Sequence, residues 1–173
     1  MFARSDIGVG PARVDRLLTP HAVPLGDWVQ TVPTASGGVL GYVPGAWDRF
    51  HIGHLNILKR ARQLCDRLVV GVVTDEELFT AKGHLPMVSL EERVQVVAAV
   101  GIVDAVVVDF STSKLDVWDR VRFDVLFKGD DWMGTDKGNL LEQEMASVGA
   151  SVRYFPYTKH TSSTALRQIL AGR

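Results

Sequence analysis

The chain has 173 residues and a mass of 19.0 kDa; 46% of the residues are hydrophobic, 23% are charged, and the formal net charge is −1. This length and composition predict one globular domain with its own core and exclude a disordered chain. Because there is no basic excess, the charge gives no reason to expect a nucleic-acid partner.

The cysteine count and the hydropathy pattern indicate which cellular compartment to expect and which kinds of site to exclude. Cys65 is the only cysteine, which excludes an intrachain disulfide and a cysteine-based metal site. The N-terminal segment lacks the roughly 7–15-residue apolar core of a signal peptide. No apolar stretch approaches the roughly 20 residues of a membrane span. We therefore expect a cytoplasmic, soluble protein without membrane contact.

Residues 1–37 differ in composition from the rest. They contain four prolines and end in a run of small and polar residues. We expect an N-terminal arm over 1–37 that packs on the domain or on a second subunit, with a flexible tail as the alternative. The domain itself is predicted over 38–173.

From residue 38 onward, short apolar runs alternate with helical spacing. Predicted strands cover 39–43, 67–73, 105–108, 125–128 and 151–155, and predicted helices cover 55–64, 89–100, 115–122, 140–148 and 163–170. Ser89 and Glu92 form a capping box before the second helix. This alternation predicts an α/β fold of Rossmann-like type, with about five parallel strands and helices on both faces.

In such sheets, ligands bind beyond the carboxyl ends of the strands. His51 and His54 follow the first strand and are separated by Ile52 and Gly53. If a helix begins near Ile52, both rings face the same side at its positive end, which favours phosphate. Two imidazoles there can donate hydrogen bonds to phosphate oxygens. A zinc site is the alternative, but no cysteine or suitable third histidine stands nearby to complete it.

A second candidate segment lies near the C-terminus, at 161–167. Hydroxyl side chains before an apolar run are first of all helix N-caps. The run of adjacent hydroxyls at 161–164 exceeds what capping needs, and with free N–H groups these side chains would form an anion cradle beside Arg167. Two helix N-termini that face one ligand suit a triphosphate.

A strand followed by His-x-Gly-His, with a late Ser-Ser-Thr-x-x-Arg, resembles the nucleotidyltransferase superfamily. Within it, the chain is similar to cytidylyltransferases of the glycerol-3-phosphate cytidylyltransferase type. The likeness covers about residues 39–171 and also includes the segments 66–70, 74–76, 92–93, 103–104 and 129–132.

The resemblance implies a reaction. A phosphorylated acceptor attacks the α-phosphorus of a nucleoside triphosphate, pyrophosphate leaves, and Mg²⁺ travels with the triphosphate. CTP is the expected donor, glycerol 3-phosphate the leading acceptor, and a homodimer the expected assembly. One alternative is an adenylyltransferase that uses ATP on a sugar phosphate or a cofactor precursor; another is a non-catalytic nucleotide-binding sensor.

The resemblance also assigns roles to residues. It implies catalytic roles for His51, His54 and Lys82, with Lys82 in a loop that closes over the phosphates. The acceptor side would include Asp48, Arg93 and Lys114. The nucleotide would be bound by Gly45, Ala46, Trp47, Gly53, Gly129, Asp131, Trp132, Thr161, Ser162, Ser163, Thr164 and Arg167.

The chain departs from the family pattern at several positions. Gly101 and Thr158 stand where the family has arginines, and Ala46-Trp47 replaces a common Thr-Phe. These departures leave both the acceptor and the choice between CTP and ATP open. A metal site built from Asp130 and Asp131 is the alternative, but we expect no metal bound by protein side chains alone, because Mg²⁺ in such sites is bound mainly by substrate phosphates.

Overall fold

The computed structural model describes residues 37–156, so the arm predicted over 1–37 and the last predicted helix lie, apart from Gly37, outside the described residues. The strands are β1 (Leu40–Gly45), β2 (Arg67–Val73), β3 (Ala105–Asp109), β4 (Val125–Gly129) and β5 (Ser151–Phe155). The helices are α1 (Ile52–Arg62), α2 (Asp75–Lys82), α3 (Leu90–Ala98), α4 (Lys114–Val121) and α5 (Asp136–Ser147). A 3₁₀ turn (Asp130–Trp132) follows β4.

The five strands form one parallel sheet in the order β3-β2-β1-β4-β5. The expected Rossmann-like α/β fold is thereby confirmed. β1 lies at the centre, and the chain winds outward from it first in one direction and then in the other, so the order reverses at β1 and β4. Ligands of such sheets bind where this reversal occurs.

Both faces of the sheet are covered by apolar clusters, as expected for parallel strands. One cluster contains Tyr42, whose ring stacks on Phe123 with centroids 4.8 Å apart. The other contains Leu58 and Ala61, the inward-facing residues of α1. No helix between residues 37 and 156 is both long and apolar enough to cross a membrane.

The largest differences from the predicted helices are two helix starts and one additional helix. α1 begins at Ile52, as the argument for the histidine pair assumed, and not at residue 55, where the apolar spacing begins; α5 begins at Asp136 rather than at residue 140. The helix Asp75–Lys82 was not predicted at all. It has one buried residue, Leu78, so it shows no apolar periodicity; its signals are the Thr74 N-cap, the acidic first turn and Gly83 at its end.

Candidate functional site

A cleft opens at the carboxyl ends of the two central strands. β1 pairs with β2 along its whole length but with β4 only at Gly41–Val125 and Tyr42–Leu126, so β1 and β4 separate beyond these pairs. The cavity has a volume of about 360 Å³. Its walls come from the β1–α1 loop, the start of α1, the end of α2 and the turn after β4.

Buried contacts hold the β1–α1 loop, residues 46–51, in place. Trp47 adopts a left-handed backbone conformation (φ 57°), and its buried indole N–H donates to the Gly71 carbonyl at 2.8 Å. A Cβ at Gly45 would lie 2.8 Å from the Trp47 ring, so the loop requires glycine there. Trp47 therefore does not line the cleft with its side chain; it anchors the loop whose neighbours Gly45 and Ala46 do.

Asp48 links this loop to the segment before α3. Its buried carboxylate accepts the backbone N–H groups of Met87 and Val88 at 3.0 and 3.1 Å and pairs with Arg49 at 3.3 Å. Asp48 still borders the cleft. The acceptor role expected for it is untested, whereas its structural role is evident.

Arg93 has a different place from the one predicted. Its side chain is fully buried, and its guanidinium donates to the carbonyls of Val88, Ala46 and Val73 and pairs with Asp75. All three guanidinium nitrogens donate to protein groups, and these contacts oppose the acceptor role expected for Arg93. Arg93 instead joins three loops, including the one that leads to the histidines.

His51 is the N-cap of α1. Its Nδ1 accepts the Gly53 N–H at 3.0 Å, which satisfies one of the free donors at the helix start. Because Nδ1 is the acceptor, the proton of the neutral ring is on Nε2. Burial, and next the Arg49 charge, lower the pKa of His51.

His54 stacks on His51 with ring centroids 4.0 Å apart and meets the Trp47 ring edge-on at 5.2 Å. The predicted helix start near Ile52 thus places both rings together, and both line the cleft. Burial, followed by the charge of His51, lowers the pKa of His54 to about 3. His54 is therefore neutral at physiological pH, and its buried Nδ1 has no hydrogen-bond partner within residues 37–156.

Lys82 lines the cleft, but it is the last residue of α2 and does not lie in a loop as predicted. Gly83 follows in the left-handed conformation (φ 73°) and ends the helix. The charge of Lys82 contributes to the lowered pKa of His54, which places the lysine near the histidine pair. The helix end thus aims a cation at the cleft.

The opposite wall follows β4. Gly129, Asp131 and Trp132 line the cleft, in the place where nucleotide contacts were expected. Lys128, at the end of β4, lies with its ammonium 3.8 Å from the centroid of the Trp132 ring.

Lys114 is not among the residues that line the cavity. Its ammonium donates to both carboxylate oxygens of Asp109, at 3.0 and 2.7 Å, and to the Ser111 carbonyl at 2.8 Å. Asp109 in turn accepts from the buried Tyr42 hydroxyl at 3.0 Å. These contacts show a structural ion pair beside the cleft, and they oppose the expected acceptor role of Lys114.

Sequence reasoning missed three cations that line the cleft, Arg49, Arg60 and Lys128. In the sequence, Lys128 is only the last residue of an apolar strand, and Arg49 is a loop residue beside Asp48. The one signal that could have identified Arg49 is its position within the 45–54 segment. The predicted cradle of residues 161–164 and Arg167 lies outside the described residues.

No three His, Cys, Asp or Glu side chains between residues 37 and 156 are grouped closely enough to hold a metal ion. A divalent cation in this cleft would therefore take most of its ligands from phosphate oxygens and water, which is the usual coordination of Mg²⁺ at nucleotide sites.

Comparison with known proteins agrees with this geometry. Residues 42–169 match the Cytidylyltransferase-like family, so the chain belongs to that family. The chain is 37% identical over 123 residues to the bifunctional protein HldE of Koribacter versatilis, covering 70% of this chain and 25% of that protein. It is 41% identical over 95 residues to the ethanolamine-phosphate cytidylyltransferase of Arabidopsis thaliana, covering 52% and 22% respectively.

The chain therefore spans about a quarter of the length of these two curated relatives. Among solved structures, it is similar to a lipopolysaccharide core biosynthesis protein from Thermoplasma volcanium, with a TM-score of 0.61 and 23% identity, covering 72% of this chain and all of that one. At this identity the likeness supports the fold alone.

Proposed function

We propose that the protein is a cytidylyltransferase that transfers CMP from CTP to a small phosphorylated alcohol such as glycerol 3-phosphate and releases pyrophosphate. The observation that carries the proposal is the stacked pair of His51 and His54 at the start of α1, in a cleft that also contains Lys82 and Lys128. Membership of the Cytidylyltransferase-like family supports the same reaction class.

In the proposed reaction, an oxygen of the acceptor phosphate forms a bond to the α-phosphorus of CTP. The bond from that phosphorus to the bridging oxygen breaks, and pyrophosphate leaves with the electron pair. The protein needs no covalent step, since phosphoryl-type transfer relies mainly on positioning and on stabilisation of charge. Bound Mg²⁺ would neutralise phosphate charge and orient the leaving group.

The two histidines would act as hydrogen-bond donors. The lowered pKa values keep both rings uncharged at neutral pH, and His51 carries its proton on Nε2 because Nδ1 is occupied by the Gly53 N–H. A neutral imidazole stabilises negative charge as it develops, without the cost of a buried cation in the free enzyme. The positive charge is supplied by the lysines around the pair.

ATP is the second candidate donor. Gly101, where the cytidylyltransferase pattern has an arginine, is exposed and has open space above it. The late Ser-Ser-Thr-x-x-Arg sequence is also compatible with adenylyl transfer. We accordingly propose CTP and keep ATP as the competitor that the first experiment must test.

The experiment is a pyrophosphate-release assay with each of the four nucleoside triphosphates and a panel of phosphorylated alcohols, with Mg²⁺ and then with a chelator. We expect turnover with CTP and Mg²⁺. His54→Ala should lower kcat by roughly 100-fold or more while CTP binding changes by only a few-fold. Lys59→Met, on the exposed side of α1, is the matched control.

Three outcomes separate the alternatives. Turnover with ATP but not CTP would make the protein an adenylyltransferase. Binding of CTP without pyrophosphate release from any acceptor would favour a nucleotide sensor. Equal turnover in His54→Ala and wild type would remove the histidine pair from the mechanism.

We also propose a homodimer, which sedimentation of the full chain would test.

A further inference from the structure

Lys128 is a cation of the cleft whose ammonium, among residues 37–156, contacts an aromatic ring and no carboxylate directly. It is half-buried at the carboxyl end of β4, and its ammonium lies over the face of the Trp132 indole at 3.8 Å. Within residues 37–156 it makes no hydrogen bond or ion pair. The ring fixes the position of the charge and leaves the ammonium hydrogens available to a ligand.

The surroundings of Lys128 disfavour its charge in the free protein. Burial is the main cause, and the nearby charge of Lys114 adds to it; together they outweigh Asp131 and Asp109 and lower the pKa of Lys128 to about 8. Partial dehydration of an ammonium that makes no direct ion pair is energetically unfavourable. An anion in the cleft would remove this cost.

The contrast with Lys114 shows why the ligand should go to Lys128. Lys114 is neutralised by Asp109 at 2.7 Å and is absent from the cavity wall. Lys128 borders the cavity, together with Lys82 and the two histidines on the facing wall. The cleft thus presents hydrogen-bond donors and cations from both walls, an arrangement that suits an anion with several charged oxygens.

We propose that Lys128 binds a phosphate group of a substrate in this cleft, with the Trp132 ring positioning its ammonium. This inference rests on the proposed function, in which the phosphate belongs either to the nucleoside triphosphate or to the acceptor. Lys128 would then be a substrate-binding residue contributed by β4, opposite the histidine pair contributed by the β1–α1 loop.

The test is calorimetric binding of CTP, inorganic pyrophosphate and glycerol 3-phosphate, each alone, to the full-length protein. Lys128→Met removes the charge with a side chain of similar length, Lys128→Arg keeps the charge, and Lys59→Met is the surface control. Thermal unfolding of each variant verifies that it is folded. If Lys128 binds phosphate, Lys128→Met weakens at least one of the ligands by about 10-fold. Lys128→Arg should stay within about 3-fold of wild type.

The ligands identify which phosphate is bound. Weaker binding of CTP and pyrophosphate with unchanged glycerol 3-phosphate assigns Lys128 to the triphosphate, and the reverse pattern assigns it to the acceptor. The proposal is overturned if Lys128→Met binds all three within twofold of wild type, or if Lys128→Arg loses as much as Lys128→Met. These readouts need no turnover, so a wild type that binds CTP through Lys128 but releases no pyrophosphate would refute the proposed function and leave the role of Lys128 standing.

Discussion

The two walls of the cleft are built in different ways. The β1–α1 loop is fastened by groups from three other parts of the chain: the Gly71 carbonyl, the Arg93 guanidinium and the N–H groups of Met87 and Val88. The turn after β4 consists of Asp130, Asp131 and Trp132, of which none is buried. The first wall is held by many buried contacts, whereas the second is more exposed, with only Trp132 packed partly against the core.

This difference separates two requirements of catalysis. Groups that stabilise a developing charge must be held in place before the reaction, because their reorganisation would raise the barrier. The β1–α1 loop and the start of α1, which carry His51 and His54, form what we call the histidine wall. This wall meets the requirement through contacts within the protein that involve no substrate. The turn Asp130–Trp132 after β4, which we call the β4 wall, has fewer such contacts. This suits residues that contact the variable parts of a ligand. If the supports are as unequal as the contacts indicate, substitutions on the two walls differ in their effects.

The largest effect is expected for Arg93→Met. The substitution leaves the carbonyls of Ala46 and Val73 buried without a donor and removes the partner of Asp75. Loss of one side of a buried charged network costs about 3–5 kcal/mol of unfolding free energy. Urea denaturation measures it, with the exposed Arg153→Met as control, expected within about 0.5 kcal/mol of wild type. A cost near that of the control would show that Arg93 does not support the loop.

A matched pair of alanine substitutions compares the walls directly. Asp48→Ala removes the acceptor of two backbone N–H groups at a buried position, so we expect a loss of about 2–3 kcal/mol. Asp131→Ala, at the exposed turn, should change stability by less than about 0.5 kcal/mol. Denaturant unfolding of both variants gives the comparison. Equal losses would contradict the assignment of one supported and one open wall.

A smaller effect is expected from pH. The pKa of His54 is about 3 in the folded protein and 6.5 in the reference state, so the unfolded chain binds a proton more readily. Stability from this group is fully present above the unfolded pKa and is lost as pH falls from about 6.5 toward 3. At pH 5 the loss is at most about 2 kcal/mol. His54→Gln should lack this part of the decrease when unfolding is compared at pH 7 and pH 5. Identical pH dependence in both proteins would disprove it.

The sequence contained the signals for the sheet and for the histidine wall. β-branched runs marked the strands, Ser89 and Glu92 marked the start of α3, and the His51–His54 spacing indicated one helix face once a start at Ile52 was assumed. These signals were sufficient because each depends on residues close together in the chain. The confirmed fold follows from such local patterns.

The supports of the site could not be read in the same way. Arg93 reaches the Ala46 carbonyl across 47 positions, and Lys128 meets the cavity only because β4 pairs beside β1 and then diverges from it. Neither fact leaves a local pattern. For this reason the sequence suggested an acceptor contact for Arg93, which its buried contacts oppose, and assigned no role to Lys128. Long-range packing decides whether a cation is structural or available to a ligand.

The smallest effect is expected where the two walls should not differ. Gly83 ends α2 beside Lys82, and Gly134 follows the β4 turn; both have φ 73°, and neither has an atom within 4 Å of an added Cβ. Gly→Ala at either position therefore costs only the strain of a left-handed backbone, about 1 kcal/mol. If contacts alone distinguish the walls, urea unfolding of the two variants gives the same loss within about 0.5 kcal/mol. A clearly larger loss at Gly83 would mean that the backbone conformation at the end of α2 also supports the histidine wall. The two walls would then differ in more than their buried contacts.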